Sequence, residues 1–556
     1  MCGIVGVIGK NAPQKVVEIL KRLEYRGYDS CGIACLIDGK LRVVKTIGSP
    51  INLKIPEDIK NSEIAIGHTR WATHGRVSLK NTQPVTYGNF ATVHNGMITN
   101  HKEFLDTELD SVVIPYLFHR GLDVDDVMKL LRGAFTSITL TPNGSLVGIK
   151  AGTPLVIGSS KDYIIFSSDY QSILDMVDEF AVIPDNSYVI ASKYGITAPV
   201  ELNWQKVNVK EVYYKIEDAP PGYYTHKEIL EQSHCLTNCL ENKDKIQEFS
   251  DCLKKFDRIL FVGSGSSYHA CLYGKLLLLG KVCCVQAIPA SEFITDRLIG
   301  KTAIVGVSQS GETADLLYVI NQVQSKCKIF SITNNPYSSL AQVSEVFLHQ
   351  NVGTEYSVIA TKTFTSQLVL LYLISKAWDG KLDEGIKGVV HLQHILNTLL
   401  HDDKLHNTLK QLTSKLADKQ HIYILGRGLG YVTALEVALK LKEVCYIHAE
   451  ALPSGELKHG PLALIEEGTP VLAFVDSSDE RTLLNLAQVK SRGGFVVGIS
   501  PVNSDYFDVW IRTPELGELN PIIQVVVGQL LSYYLAKHRG LNPDRPRNLA
   551  KTVTVL

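Results

Sequence analysis

Arg258-Ile259-Leu260-Phe261-Val262-Gly263-Ser264-Gly265-Ser266-Ser267 is an apolar run that ends in a turn of small residues and leads into a helical pattern. The same grammar returns in His421-Ile422-Tyr423-Ile424-Leu425-Gly426-Arg427-Gly428-Leu429-Gly430. A second pair keeps a similar displacement: Ala303 to Thr313 aligns with Val471 to Arg481. One ancestral unit therefore occurs twice. Strand, small-residue turn and long helix in alternation predict two doubly wound parallel α/β sheets.

The copies differ at their turns. The first carries Ser264, Ser266 and Ser267 after one strand, and Ser308, Gln309, Ser310 and Thr313 after another. Hydroxyls and unpaired N–H groups at helix N-termini suit a phosphate, because the macrodipole there favours an anion. Helix capping alone explains one hydroxyl per helix but not two clusters of them. The second copy places Asp476, Asp479 and Glu480 at the equivalent turn, where a phosphate would be repelled. One phosphate site per chain is expected. A dinucleotide site is disfavoured, since Gly263-x-Gly265 lacks the third glycine and no acidic residue ends the next strand.

The chain has 556 residues, enough for three or four domains, and a formal net charge of −1, which argues against nucleic acid or an anionic membrane as partner. No apolar run reaches the length of a spanning helix, and the N-terminus lacks a signal pattern. Eleven cysteines suggest reduced thiols in a cytoplasmic setting. The Cys31/Cys35 and Cys235/Cys239 pairs lack a second ligand pair at zinc spacing, so no metal is expected.

Before about residue 210, short strand-like runs such as Thr136–Leu140 and Leu155–Gly158 predominate. They predict a layered sheet domain that opens on Met1-Cys2-Gly3-Ile4-Val5-Gly6. With Met1 removed, Cys2 carries a thiol beside a free α-amine, so nucleophile and base sit on one residue. The alternative is a frayed terminus, but Val5, Val7 and Ile8 read as a buried strand. Two further stretches, Ile64–Gly75 and Ala91–Gly96, each read as strand into turn. Arg70 offers a planar fork for a carboxylate, or else makes a surface ion pair. Asn95 with the Gly96 N–H can supply two donors to an oxyanion, or else forms a hairpin turn.

Together these residues, with the Leu23–Ser30 run, resemble the class II (N-terminal nucleophile) glutamine amidotransferases. The resemblance implies an αββα fold, attack by Cys2 on the glutamine amide, and an oxyanion hole of Asn95 and Gly96. It further implies that Arg70 and Asp110 hold the substrate's carboxylate and amine, that Thr73 and His74 line the pocket, and that Trp71 gates the ammonia. The paired units with Ser308-Gln309-Ser310-Gly311-Glu312-Thr313 resemble the sugar-isomerase (SIS) domains. In Ala438–Glu443, Gly455–Ala463 and the tail Asp544–Val555, the resemblance implies that Lys551 forms a Schiff base with an open ketose and Glu443 moves its C1/C2 proton. His459, from a neighbouring subunit, would assist ring opening, and Lys440 would contact the sugar, which implies a homodimer. On residue type alone, Lys440 and Glu443 could be a solvated helix pair, although Leu439, Leu441 and Val444 make that helix mostly buried. Lys551 could lie in a loose tail, although Leu549, Val553 and Val555 suggest a docked one.

The implied activity is amination of fructose 6-phosphate with nitrogen from glutamine and isomerisation to glucosamine 6-phosphate, with no cofactor. A closed path for ammonia, sealed by the tail around Lys551, is expected. The domains are read as 2–215 for the glutaminase, 216–245 for a linker and leading helix, 246–400 and 401–540 for the two SIS domains, and 541–556 for the tail. One departure is Ala360 in Ile359-Ala360-Thr361-Lys362, where the SIS pattern carries a sugar-contacting serine. An amidotransferase for another hexose phosphate, or a sugar-phosphate sensor with a vestigial glutaminase, remain as alternatives.

Overall fold

The computed structural model describes residues 2–71, 76–207, 220, 222–295, 298 and 300–553. Thr73, His74, the 216–219 part of the linker, Val555 and the end of the tail lie outside them. The chain divides into two compact units, Met1–Asp218 with Ala550–Leu556, and Ala219–Leu549.

The N-terminal unit is built on two antiparallel sheets, one of eight strands and one of six. The strand Gly3–Gly9 lies inside the larger sheet, between Tyr163–Ser167 and Ile64–Arg70. Its apolar residues are sealed on both faces, so Cys2 is held at the end of a core strand rather than at a loose terminus. Helix Ala12–Arg22 covers the outer face, where a side chain at Gly67 would collide with Val16. The inner faces meet through a core containing Ile4, Ile66, Val93 and Ile138. Helices Val113–His119 and Val124–Leu130 cover the smaller sheet with Ile98, Phe135 and Ile149. The layers are α, β, β, α, as the resemblance implied.

The second unit holds two five-stranded parallel sheets of identical topology. In the first, Cys284–Pro289, Arg258–Gly263, Thr302–Val307, Lys328–Thr333 and Val346–His349 lie side by side in that order. In the second, the order is His448–Pro453, His421–Gly426, Pro470–Phe474, Phe495–Ser500 and Val509–Arg512. Both read 2-1-3-4-5, so the strand order reverses beside the first strand of each copy. In open sheets of this kind ligands bind beyond the carboxyl ends of the strands at such a reversal. One continuous core runs through both copies, from Phe261 and Phe364 to Val437 and Val526.

Two sequence expectations change. Asn95 and Gly96 do not begin a turn: the strand Phe90–Ile98 runs through both, paired along its length with Gly133–Leu140. Gly96 has φ of 101°, and a side chain there would strike the backbone of Ala134 and Phe135, so the close strand approach needs glycine. Second, the helix Asn520–His538 falls in a segment long and apolar enough to span a membrane, yet 89% of its window is buried inside the unit. It is apolar all round because it is the central core helix.

Candidate active site

In the N-terminal unit, the Cys2 thiol lies against the Trp71 backbone, 3.4 Å from its N–H and 3.6 Å from its carbonyl oxygen. Burial pushes the thiol's pKa up, against the downward pull of the Trp71 amide and of Arg70. Arg70 ends the strand Ile64–Arg70 and is 4% exposed, with one guanidinium nitrogen 3.4 Å from the Arg76 carbonyl. A buried guanidinium is not the surface ion pair of the alternative reading. The Gly27 turn presses on the Arg70–Trp71 peptide so closely that a side chain there would not fit. Tyr28 meets the Trp71 ring edge-on at 5.7 Å.

Asn95 is buried on the neighbouring sheet, and its side-chain oxygen has no hydrogen-bond partner among the described residues. Asp110 lies next to this strand: its carboxylate accepts the Ile98 N–H at 2.8 Å and stands 4.0 Å from the His94 ring. His94 donates its backbone N–H to Gln83 at 2.7 Å, and its ring meets the Ser111 hydroxyl at 2.9 Å. His68, on the strand below, reaches the His94 carbonyl at 3.3 Å and so ties the two sheets together. Gln83, Ser111 and His68 escaped the sequence reading, since only the folded pairing brings them to Asn95.

Burial lowers the His68 pKa to about 3, with Arg70 adding to the effect, and burial also lowers that of His94 against the raising influence of Asp110. Both rings are therefore neutral in the fold, whereas in the unfolded chain they take up protons below about pH 6.5. Their contribution is fully present above that pH and is lost as pH falls toward the folded values. His68 should remove about 1.4 kcal/mol per pH unit between about pH 6.5 and its folded value of about 3, and His94 adds to the loss in the same direction. Thermal unfolding between pH 7 and pH 5 should show this loss, and His94→Asn should make it shallower.

In the second unit the serine clusters stand at the switch point of the first sheet. Ser266 and Ser267 begin the helix Ser266–Leu278, and the Ser308–Thr313 turn precedes Ala314–Val323. The Ser308 hydroxyl accepts the Gly311 N–H at 3.0 Å and meets Thr313 at 2.9 Å, while Ser310 accepts the Glu312 N–H at 3.1 Å. The turn is thus held by its own hydrogen bonds, with Gln309, Ser310 and Thr313 half-buried. At the second copy's switch point Asp479 caps its own helix through Thr482. Asp476 is pushed above the ordinary carboxyl range, by burial first, and accepts a hydrogen bond from Asn520 at 2.9 Å. The two turns are chemically opposite.

Lys440 and Glu443 lie on the helix Leu429–Cys445. Lys440 is fully buried, with its ammonium 2.7 Å from Glu443 and 3.2 Å from Glu436, and 3.3 Å from the Ser266 hydroxyl. Glu436 is also fully buried and accepts hydrogen bonds from Ser266 at 2.8 Å and from the His269 ring at 2.7 Å. Although burial opposes both charges, the partners prevail: Lys440 is raised and Glu436 lowered, so both stay ionised. This excludes the solvated-pair reading. Glu436 was missed, although its place one turn before Lys440 was a visible signal. Glu436→Gln should destabilise the second unit by about 3 kcal/mol, because the buried Lys440 loses one of two counter-charges. Denaturant unfolding of that unit would measure it.

His459 is exposed at the end of the short helix Ser454–His459. Lys551 is half-buried and counts with the N-terminal unit, whereas Glu443 belongs to the other. Val553 is 52% exposed, and the buried tail residue beside it is Thr552. The tail's root is fixed by Asp544, whose carboxylate accepts the Gly222 and Thr225 N–H groups at 2.8 and 2.7 Å and so caps the helix Tyr223–Cys235.

The SIS domain family matches residues 252–377 and 415–539. The chain is 37% identical over 608 aligned residues to the glutamine–fructose-6-phosphate aminotransferase (isomerizing) of Pyrococcus horikoshii, with both chains covered in full. It is 35% identical over 612 residues to the protein of the same name from Clostridium perfringens, again with full coverage of both. Among solved structures, the C-terminal domain of a glucosamine-fructose-6-phosphate aminotransferase from Francisella tularensis superposes with a TM-score of 0.53 at 34% identity. It covers 58% of this chain and 98% of that domain.

Proposed function

The chain belongs to the glutamine–fructose-6-phosphate aminotransferase (isomerizing) family, and from that premise we infer how its residues divide the reaction. The protein transfers the amide nitrogen of glutamine to fructose 6-phosphate and isomerises the aminated sugar, releasing glutamate. The product of amination at C2 and conversion to the aldose is glucosamine 6-phosphate.

Cys2 attacks the amide carbon, and the oxyanion of the tetrahedral intermediate is met by the Asn95 side chain and the Gly96 N–H. Ammonia leaves, and water releases glutamate from the thioester. Arg70 pairs with the substrate carboxylate and Asp110 with its amine, while Trp71 gates the ammonia, with Thr73 and His74 lining the pocket. The turns carrying Ser266, Ser267, Ser308, Gln309, Ser310 and Thr313 hold the sugar phosphate. Lys551 condenses with the ketone and water leaves; ammonia then displaces the lysine amine to give the C2 imine, and Glu443 takes a proton from C1 and returns it to C2. Lys440 fixes the Glu443 carboxylate and touches the sugar. His459 assists ring opening in a second copy, which makes the working unit a homodimer. A chain with eleven cysteines favours a cytoplasmic setting.

The observation that carries this reading is the row of fully buried Glu436 and Lys440 with half-buried Glu443 beside Ser266, in a chain whose second residue is a cysteine held at the end of a core strand. Incubation with glutamine and fructose 6-phosphate, followed by mass spectrometry, tests it: glucosamine 6-phosphate is expected, and glutamate without an amino sugar phosphate would sink it. Ala360 adds a finer prediction. Ala360→Ser should restore one hydrogen bond worth about 1 kcal/mol and lower the KM for fructose 6-phosphate about fivefold. Steady-state kinetics at saturating glutamine would show it.

A further inference from the structure

The helices Ser266–Leu278 and Leu429–Cys445 come from the two copies of the repeat and pack against each other. Ser266 and His269 stand one turn apart on the first of them and share a face. Both reach Glu436, each on its own oxygen. Ser266 donates to Oε1 at 2.8 Å, and the His269 Nδ1 lies 2.7 Å from Oε2. Glu436 is fully buried and ionised, and an ionised carboxylate only accepts, so Nδ1 carries the hydrogen.

The repeat supplies an internal control. With Arg258 aligned to His421, Ser266 and His269 correspond to Leu429 and Val432, and Glu436 and Lys440 to Tyr273 and Leu277. Val432, Tyr273 and Leu277 are buried, so the same helix positions pack in the other copy without a charge. Apolar packing would serve the fold as well, and the buried charges of Glu436 and Lys440 have a use beyond it.

The Lys440 ammonium stands between two carboxylates, 2.7 Å from Glu443 and 3.2 Å from Glu436 Oε1. We propose that His269 is a positioning residue for the proton transfer: by holding Glu436 Oε2, it leaves Lys440 to Glu443. The inference rests on the reading of Glu443 as the carrier of the C1/C2 proton. Without the His269 donor, a buried carboxylate oxygen has no partner, and Glu436 competes harder for its remaining cation. Lys440 then moves toward Glu436, and the Glu443 carboxylate loses the contact that orients it.

Deuterium exchange at C1 of fructose 6-phosphate in deuterated water, followed by NMR with the full-length protein, tests this. His269→Leu removes the donor and keeps much of the bulk; kcat for exchange should fall on the order of tenfold while KM stays within about twofold. His269→Ala gives the same reading if leucine disturbs the fold. His269→Asn should restore kcat to within about threefold, because its amide nitrogen lies as many bonds from the backbone as Nδ1 and donates to Oε2. Undiminished exchange in the leucine and alanine variants would overturn the proposal. So would a loss in His269→Asn as deep as in His269→Leu, which makes the ring a proton carrier. A rise in KM at constant kcat would overturn it too, by giving His269 to sugar binding. Exchange absent from the unsubstituted protein would overturn the Glu443 reading itself, and this inference with it.

Discussion

Cys2→Ala abolishes synthesis from glutamine and leaves synthesis from free ammonia. Removing the nucleophile of an acyl-transfer unit costs on the order of 10⁶ in rate, because no covalent tetrahedral intermediate then forms for the proposed oxyanion hole of Asn95 and Gly96 to stabilise. The proposed sugar chemistry draws on Glu443 and the serine turns of the other compact unit, together with Lys551, and needs only ammonia, so saturating ammonium should restore amino sugar formation. The substitution is structurally mild. Cys2 precedes the strand Gly3–Gly9, whose pairing with Ile64–Arg70 begins at Gly3. Parallel assays of glutamate and amino sugar phosphate read both halves. Loss of the ammonia-dependent reaction in the variant would mean that Cys2 serves the sugar unit as well.

Glu443→Gln gives the complementary result. The amide keeps the size and one hydrogen-bond acceptor for Lys440 but cannot carry a proton, so isomerisation should fall by about 10²–10⁴. Glutamate release by the N-terminal unit should persist. In deuterated water, exchange at C1 of the bound sugar should disappear with the variant, a readout that a merely structural role for Glu443 would not move. The Glu436–Lys440 pair at 3.2 Å remains, so the helix should keep its place. Normal isomerisation in Glu443→Gln would transfer the proton shuttle to another group.

What was legible in the sequence was what local pattern controls. The repeat that begins at Arg258 and His421 announced both parallel sheets, because a buried strand followed by glycine and small residues is written in consecutive positions. The Ser-rich and Asp-rich turns likewise disclosed their opposite chemistry. What escaped depends on partners far along the chain. Asn95-Gly96 looked like a turn because Asn-Gly is a hairpin signal, but here the backbone of Ala134 and Phe135 demands a positive-φ glycine inside a strand. Gln83 and Ser111 reach His94 from separate segments, and Asp544 caps a helix more than 300 residues earlier. No local signal marks them. Glu436 is different: it sat one helical turn from Lys440 in plain view, and only its complete burial separates it from an ordinary surface glutamate. The helix Asn520–His538 shows the converse, since hydropathy alone cannot tell a core helix from a spanning one.

The central claim is that one chain takes nitrogen from glutamine at Cys2 and leaves it on C2 of the sugar. Amide-¹⁵N glutamine and fructose 6-phosphate, without added ammonium, test it in a single reaction followed by nitrogen NMR. The account predicts ¹⁵N in the amino group of glucosamine 6-phosphate in equal amount to the glutamate formed. Labelled ammonium free in solution beside unconsumed fructose 6-phosphate would contradict it.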